Sequence, residues 1–114
     1  MNILIVDDEE LMVRALMRHL KFEPCQVYCA HGMHQAKELM ASQFIDIIVT
    51  DMDLGEGVQH GRSLLQWASE HSPMTRRVLM SGSIYDRSSA PEAEFVLQKP
   101  FPISALKSFI STAA

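Results

Sequence analysis

Short apolar runs alternate along this chain with longer segments whose apolar residues recur every three or four positions. The first run is ILIV at residues 3–6. Leu11, Met12, Ala15, Leu16, His19 and Leu20 then fall on one face of a helix, with acids in its first turn favouring the positive end and Pro24 stopping it. QVYCA at 26–30 reads as a second strand, and Gly32 leads into a helical stripe of Met33, Ala36, Leu39 and Met40. IDIIVT at 45–50 is a third strand, apolar on both parities, which predicts burial on both of its faces. A loop over 54–60 contains Gly55 and Gly57. Gly61 opens a third helix carrying Leu64, Leu65 and Ala68, which ends near Pro73. VLM, within 77–83, is a fourth strand closing at Ser81-Gly82, and FVL at 95–97 is a fifth. Ile103, Leu106, Phe109 and Ile110 mark a last helix with Pro102 near its first turn. The weakest pattern is 84–94, IYDRSSAPEAE, where a helix is expected to be short or irregular.

Five strand-helix units in succession predict an α/β fold, a doubly wound parallel sheet with helices on both faces. With 114 residues the chain is read as one domain, 1–114, long enough to bury a core without staples. A net charge of −4 with no basic stripe argues against direct nucleic-acid binding. No apolar run approaches the roughly 18 residues of a membrane span. The start of the chain lacks a basic signal-peptide flank, so a cytoplasmic location is expected. Cys25 and Cys29, if on one strand, lie roughly 13 Å apart, beyond the reach of a disulfide. They read as small half-buried apolar residues. Among the five histidines (19, 31, 34, 60 and 71) only His31 and His34 have a suggestive spacing, and surface or packing roles are expected. Met12, Met33 and Met40 read as core filling.

In an open parallel sheet the ligand site lies beyond the carboxyl ends of the strands. Asp7 and Asp8 follow the first strand, Asp51 the third, Ser81 the fourth and Lys99 the fifth; the second ends in Ala30 and His31 and offers no candidate. Each has an ordinary structural reading: Asp7 and Asp8 as helix caps, Ser81 as a turn residue, Lys99 as a solvated charge. Together they suggest more. Crowded carboxylates repel unless a cation joins them. Hard oxygen ligands suit Mg2+, a lysine suits a phosphoryl oxygen, and a carboxylate can itself be a nucleophile. That set stabilises phosphoryl transfer, where positioning and electrostatics supply most of the catalysis.

Four pieces, ILIVDDE (3–9), IIVTDMDL (47–54), VLMSGS (78–83) and QKPF (98–101), give the chain a resemblance over residues 2–112 to the receiver domain of two-component response regulators, of the chemotaxis-receiver kind. The resemblance implies a flavodoxin-like (βα)5 fold with strand order 2-1-3-4-5. It implies that Asp51 is the phosphoacceptor, that Asp8 and Asp51 ligate Mg2+ (or Mn2+ as a substitute) with the Asp53 backbone carbonyl, and that Asp7 acts through water. Ser81 and Lys99 would contact the phosphoryl group, and the Lys99-Pro100 bond would be cis. Asp53, Ser83 and Val96 would be tuning positions. A histidine kinase or phosphotransfer protein would be the donor, and a population shift would alter binding to a downstream protein. The chain would be a stand-alone receiver or one excised from a longer protein, and not a turnover enzyme.

The chain departs from the family in three places. The aromatic residue usual three positions before the lysine is replaced by Val96, while Phe95 points to the other face. The stretch from Ser81 to Lys99 is short, which predicts signalling through an altered output surface or through a different one. The loop over 52–61 has three glycines and no proline, which predicts mobility beside Asp51. Two rival readings stand beside the switch. One is a receiver-fold scaffold that works without phosphorylation. The other is an aspartate-nucleophile phosphatase of the haloacid-dehalogenase kind, suggested by Asp51-x-Asp53, although that motif should follow the first strand of a longer chain.

Overall fold

The computed structural model describes residues 1–20, 25–54, 60–82 and 91–113. Its strands are β1 (Asn2–Val6), β2 (Gln26–Ala30), β3 (Ile47–Asp51), β4 (Arg76–Ser81) and β5 (Phe95–Gln98). Its helices are α1 (Glu10–Leu20), α2 (Met33–Ser42), α3 (His60–His71) and α4 (Ile103–Ala113). All strand pairs are parallel, in the order β2-β1-β3-β4-β5. This is the flavodoxin-like sheet that the resemblance implied.

Alternation along the strands divides the core in two. Leu4, Val6, Ile48 and Leu79 meet Ala36 of α2 and Leu64 and Leu65 of α3 on one face. Ile3, Ile5, Ile47, Val49, Val78 and Met80 meet Leu16 and Leu20 of α1 and Leu106 and Ile110 of α4 on the other. Residues 3–6 and 47–49 are fully buried, because a strand covered by helices on both sides has no solvent face. Met12, Met33 and Met40 pack at the edges of these clusters. Cys25 and Cys29 are half-buried, with the Cys25 thiol donating to the Leu20 carbonyl at 3.5 Å.

Element boundaries differ from the sequence pattern where polar residues carry ladder bonds. β3 begins two residues later than the apolar run, because Ile47 is the first to pair with Ile3. It also takes in Asp51, which stands opposite Met80. Asp46, the polar break in that run, ties three strand starts. Its carboxylate accepts from the Asn2 amide at 2.7 Å and its carbonyl from the Arg76 amide at 2.8 Å. β4 extends from three residues to six, since Arg76 and Arg77 pair with Ile47 and Ile48. α3 starts one residue earlier, at His60, and α1 begins only at Glu10, leaving one acid in its first turn.

The expected short or irregular helix at 84–94 falls mostly outside the described residues; 91–94 are not helical, with a turn at 91–92. Here Arg62 of α3 holds Glu92 with two bonds of 2.9 and 3.2 Å, and Arg76 holds Glu94 at 2.6 Å. Ser83, Pro24 and residues 55–59 of the 52–61 loop expected to be mobile also lie outside the described residues. Among the described residues, no helix is long and apolar enough to cross a membrane.

Candidate functional site

At the carboxyl end of β1 the Asp7 amide donates to the Ala30 carbonyl at 3.1 Å, the last bond from β2. The sequence pattern gave that strand no part in the site; its end holds Asp7 through the main chain, a role that leaves no side-chain signature. Asp7 is fully buried. Its Oδ1 accepts from the Glu9 amide at 2.9 Å, forming a turn just ahead of α1 rather than a bond inside the helix. Asp8, the next residue, is exposed. Asp51 closes β3 with its side chain half-buried.

Lys99 reaches this group from β5. Its amide donates to the Ser81 carbonyl at 2.7 Å, carrying the ladder one residue past the strand. Its ammonium then lies 3.0 Å from Asp51 Oδ1 and 3.3 Å from Asp7 Oδ2. Ser81 is buried, one position beyond the Met80 that faces Asp51. The Lys99-Pro100 peptide bond is cis.

Burial pushes the Asp51 carboxyl above its ordinary value; the Lys99 hydrogen bond opposes this and the Asp7 charge adds to it. Burial also works against the Lys99 ammonium, yet its bonds and charge contacts with Asp51 and Asp7 outweigh burial and hold its pKa above the usual lysine value. Lys99 is therefore a fixed cation, while Asp51 is an anion held at some cost.

The donor chemistry fits a divalent cation. Asp7, Asp8 and Asp51 each offer a carboxylate oxygen, and these lie within 4.8 Å of one another. An all-oxygen anionic set of this kind suits Mg2+, which keeps several waters beside one or two carboxylates. Asp53 is exposed, two residues past Asp51.

Val96 packs on the α2–α3 side of the sheet, and Phe95 on the other, where it stacks on Phe109 at 5.3 Å between centroids. Phe95 therefore does not take the place of an aromatic at position 96. His34 pairs with Glu38 at 2.6 Å on the α2 surface, and His31 is exposed, so neither joins the acids.

Sequence reasoning missed one close contact. Gly61, near the start of α3, is buried, and its amide donates to the Met52 carbonyl at 3.0 Å. A Cβ built there would overlap the Asp51 carbonyl oxygen. The signal was a glycine inside a helical pattern, which marks a close backbone approach as readily as a helix start.

Comparison with known proteins gives a consistent result. The family model of the response regulator receiver domain matches residues 3–111. The transcriptional regulatory protein CutR of Streptomyces coelicolor is 31% identical over 110 residues, covering 93% of this chain and 50% of CutR. The chain thus spans about half the length of the curated relatives it matches. The signal receiver domain of an HD domain-containing protein from Pseudomonas fluorescens Pf-5 superposes with a TM-score of 0.87 at 26% identity, covering 98% of this chain and 85% of that one. The response regulator TrrA from Thermotoga maritima, solved in complex with Mg2+ and beryllium fluoride, has a TM-score of 0.86 at 21% identity, covering 99% and 98%.

Proposed function

Because the chain belongs to the response regulator receiver family, we propose that it is a phosphoacceptor switch of two-component signalling in which Asp51 takes a phosphoryl group from a histidine kinase or phosphotransfer protein. The observation that carries this reading is the contact of Lys99 with Asp51 at 3.0 Å and Asp7 at 3.3 Å, beside a third carboxylate on Asp8. No turnover of a free substrate is invoked, and the whole domain acts as one unit over 1–114. A magnesium-loaded relative, TrrA, supports the reading by analogy of fold.

In the proposed reaction an Asp51 carboxylate oxygen attacks phosphorus. The P–O bond to Asp51 forms as the P–N bond to the donor imidazole breaks, and the imidazole leaves with the electron pair. Lys99 stays protonated throughout and holds one Asp51 oxygen, leaving the other for attack. Asp8 and Asp51, with the Asp53 backbone carbonyl, would hold Mg2+ (or Mn2+), and Asp7 would orient it through water. Bound there, the metal would neutralise the crowded carboxylates and the charge on the phosphoryl oxygens. Ser81, buried beside the site, would give its hydroxyl to a phosphoryl oxygen, and Asp53, Ser83 and Val96 would tune its lifetime. Val96 is aliphatic, so a rotating aromatic side chain cannot carry the signal from this position. The reading places the protein in the cytoplasm, where such kinases present their phosphohistidine.

The test is incubation with acetyl phosphate and Mg2+ followed by intact mass. One phosphate adduct, absent without the metal, is expected. Turnover of unrelated phosphomonoesters would instead indicate a phosphatase, and the absence of an adduct even with a cognate kinase would indicate a scaffold.

A further inference from the structure

Asp51 is held by its main chain as well as by its surroundings. Its carbonyl accepts from the Thr50 hydroxyl at 3.0 Å. The next residue, Met52, is fixed at both ends of its backbone: its amide donates to the Met80 carbonyl at 2.8 Å, and its carbonyl accepts from the Gly61 amide at 3.0 Å. The Met52 side chain is buried in the core on the α2–α3 side. Gly61 lies directly against this segment. A Cβ at position 61 would overlap the Asp51 carbonyl oxygen and come within 2.9 Å of both the Asp51 carbonyl carbon and the Met52 Cα. Those are main-chain atoms at the end of a central strand and just beyond it, with no flexible end to move aside. A side chain at 61 must therefore displace either the start of α3 or the backbone that carries Asp51.

We propose that Gly61 is a positioning residue for the phosphoacceptor: α3 seats its bare Cα on the Asp51 carbonyl and its amide on the Met52 carbonyl, and so sets where the Asp51 carboxylate and the Asp53 carbonyl point. This inference rests on the reading of Asp51 as phosphoacceptor and adds a residue that touches neither metal nor phosphoryl group. Asp51 and Asp53 flank Met52, so a shift of that residue's main chain moves both proposed metal donors together. Misplacing outer-sphere supports of this kind typically weakens metal affinity by about tenfold or more. The same seat makes α3 the element that feels any movement of the Asp51 main chain.

The experiment compares wild type, Gly61→Ala and Leu65→Ala by Mg2+ titration, following backbone amide shifts, with circular dichroism to verify the fold. Leu65 is fully buried on the same helix, so Leu65→Ala reports what general loosening of α3 does to the site. The expected result is Mg2+ affinity about tenfold weaker in Gly61→Ala and unchanged in Leu65→Ala. Equal affinity in wild type and folded Gly61→Ala would overturn the positioning role while leaving the phosphoacceptor reading intact. Absence of Mg2+ binding by the wild type would overturn both. A measurement on wild type alone applies if Gly61→Ala does not fold: hydrogen exchange with and without Mg2+ and beryllium fluoride. Selective added protection of the Gly61 amide relative to the rest of α3 supports the proposal, and unchanged protection contradicts it.

Discussion

Lys99 reaches Asp51 because the sheet delivers it there: the Lys99 amide donates to the Ser81 carbonyl at 2.7 Å, and its ammonium then rests 3.0 Å from Asp51 Oδ1. The lysine is thus a built-in cation at a place where a metal would also bind. Lys99→Ala removes a competing charge from two carboxylates, so Mg2+ binding should tighten several-fold. Phosphorylation by a small donor should nevertheless slow by about a hundredfold, as expected on losing one preorganised donor. Mg2+ titration and adduct formation measured on the same variant separate the two effects.

Asp51 also bears on stability. Its carboxyl is held above the ordinary value by burial and by Asp7, so ionised Asp51 costs the fold free energy. The sign follows from linkage: a carboxyl whose pKa is raised on folding destabilises the native state above that pKa, and acidification relieves the cost. Asp51→Asn should therefore raise the melting temperature at neutral pH by a few degrees in metal-free buffer. Mg2+ should then raise the melting temperature of wild type more than that of the variant.

The Arg62–Glu92 pair works in the opposite sense. Burial would raise the Glu92 carboxyl, but the Arg62 hydrogen bond and charge outweigh it, with a backbone bond adding to the effect, and hold Glu92 below its ordinary 4.5. Its contribution is complete above pH 4.5 and is lost as pH falls further, because the unfolded chain takes up the proton first. Glu92→Gln should cost about 1 to 2 kcal/mol at pH 7. Denaturant unfolding at neutral and acid pH should show the difference between the two proteins shrinking as the carboxylate protonates.

At the far end of the sheet, the fully buried Thr75 donates its hydroxyl to the Ile45 carbonyl at 2.6 Å. Thr75→Val keeps the shape but leaves that carbonyl without this bond, at a cost of about 1 to 3 kcal/mol. Mg2+ affinity and adduct formation should not change, since the loss lies at the opposite end of β3 from Asp51.

The strand ends were readable because a buried parallel sheet writes itself as apolar runs, and a polar residue just past each run can only sit on one edge. That logic singled out Asp7, Asp8, Asp51, Ser81 and Lys99, whereas their roles came from the resemblance to a family. What escaped the pattern was carried by the main chain or by pairs distant in sequence. Ala30 holds Asp7 with a carbonyl that every residue possesses. Gly61 acts through the absence of a side chain, which looks the same whether the need is a turn or a close approach. Arg62 and Glu92 stand thirty positions apart, and only the fold brings them into one ion pair. Arg76 and Arg77 hid the first residues of β4 for the same reason, since their partners Glu94 and the Glu92 carbonyl come from the next connection.

The central claim is that Asp51 is the residue phosphorylated. Treating the acetyl-phosphate adduct with borohydride reduces an acyl phosphate to the corresponding alcohol, and tandem mass spectrometry of the peptides containing residues 3–9 and 47–54 then locates it. The account predicts homoserine at position 51 in wild type and no modification in Asp51→Asn. Homoserine at position 53 or position 8, or an adduct that persists undiminished in Asp51→Asn, would contradict it.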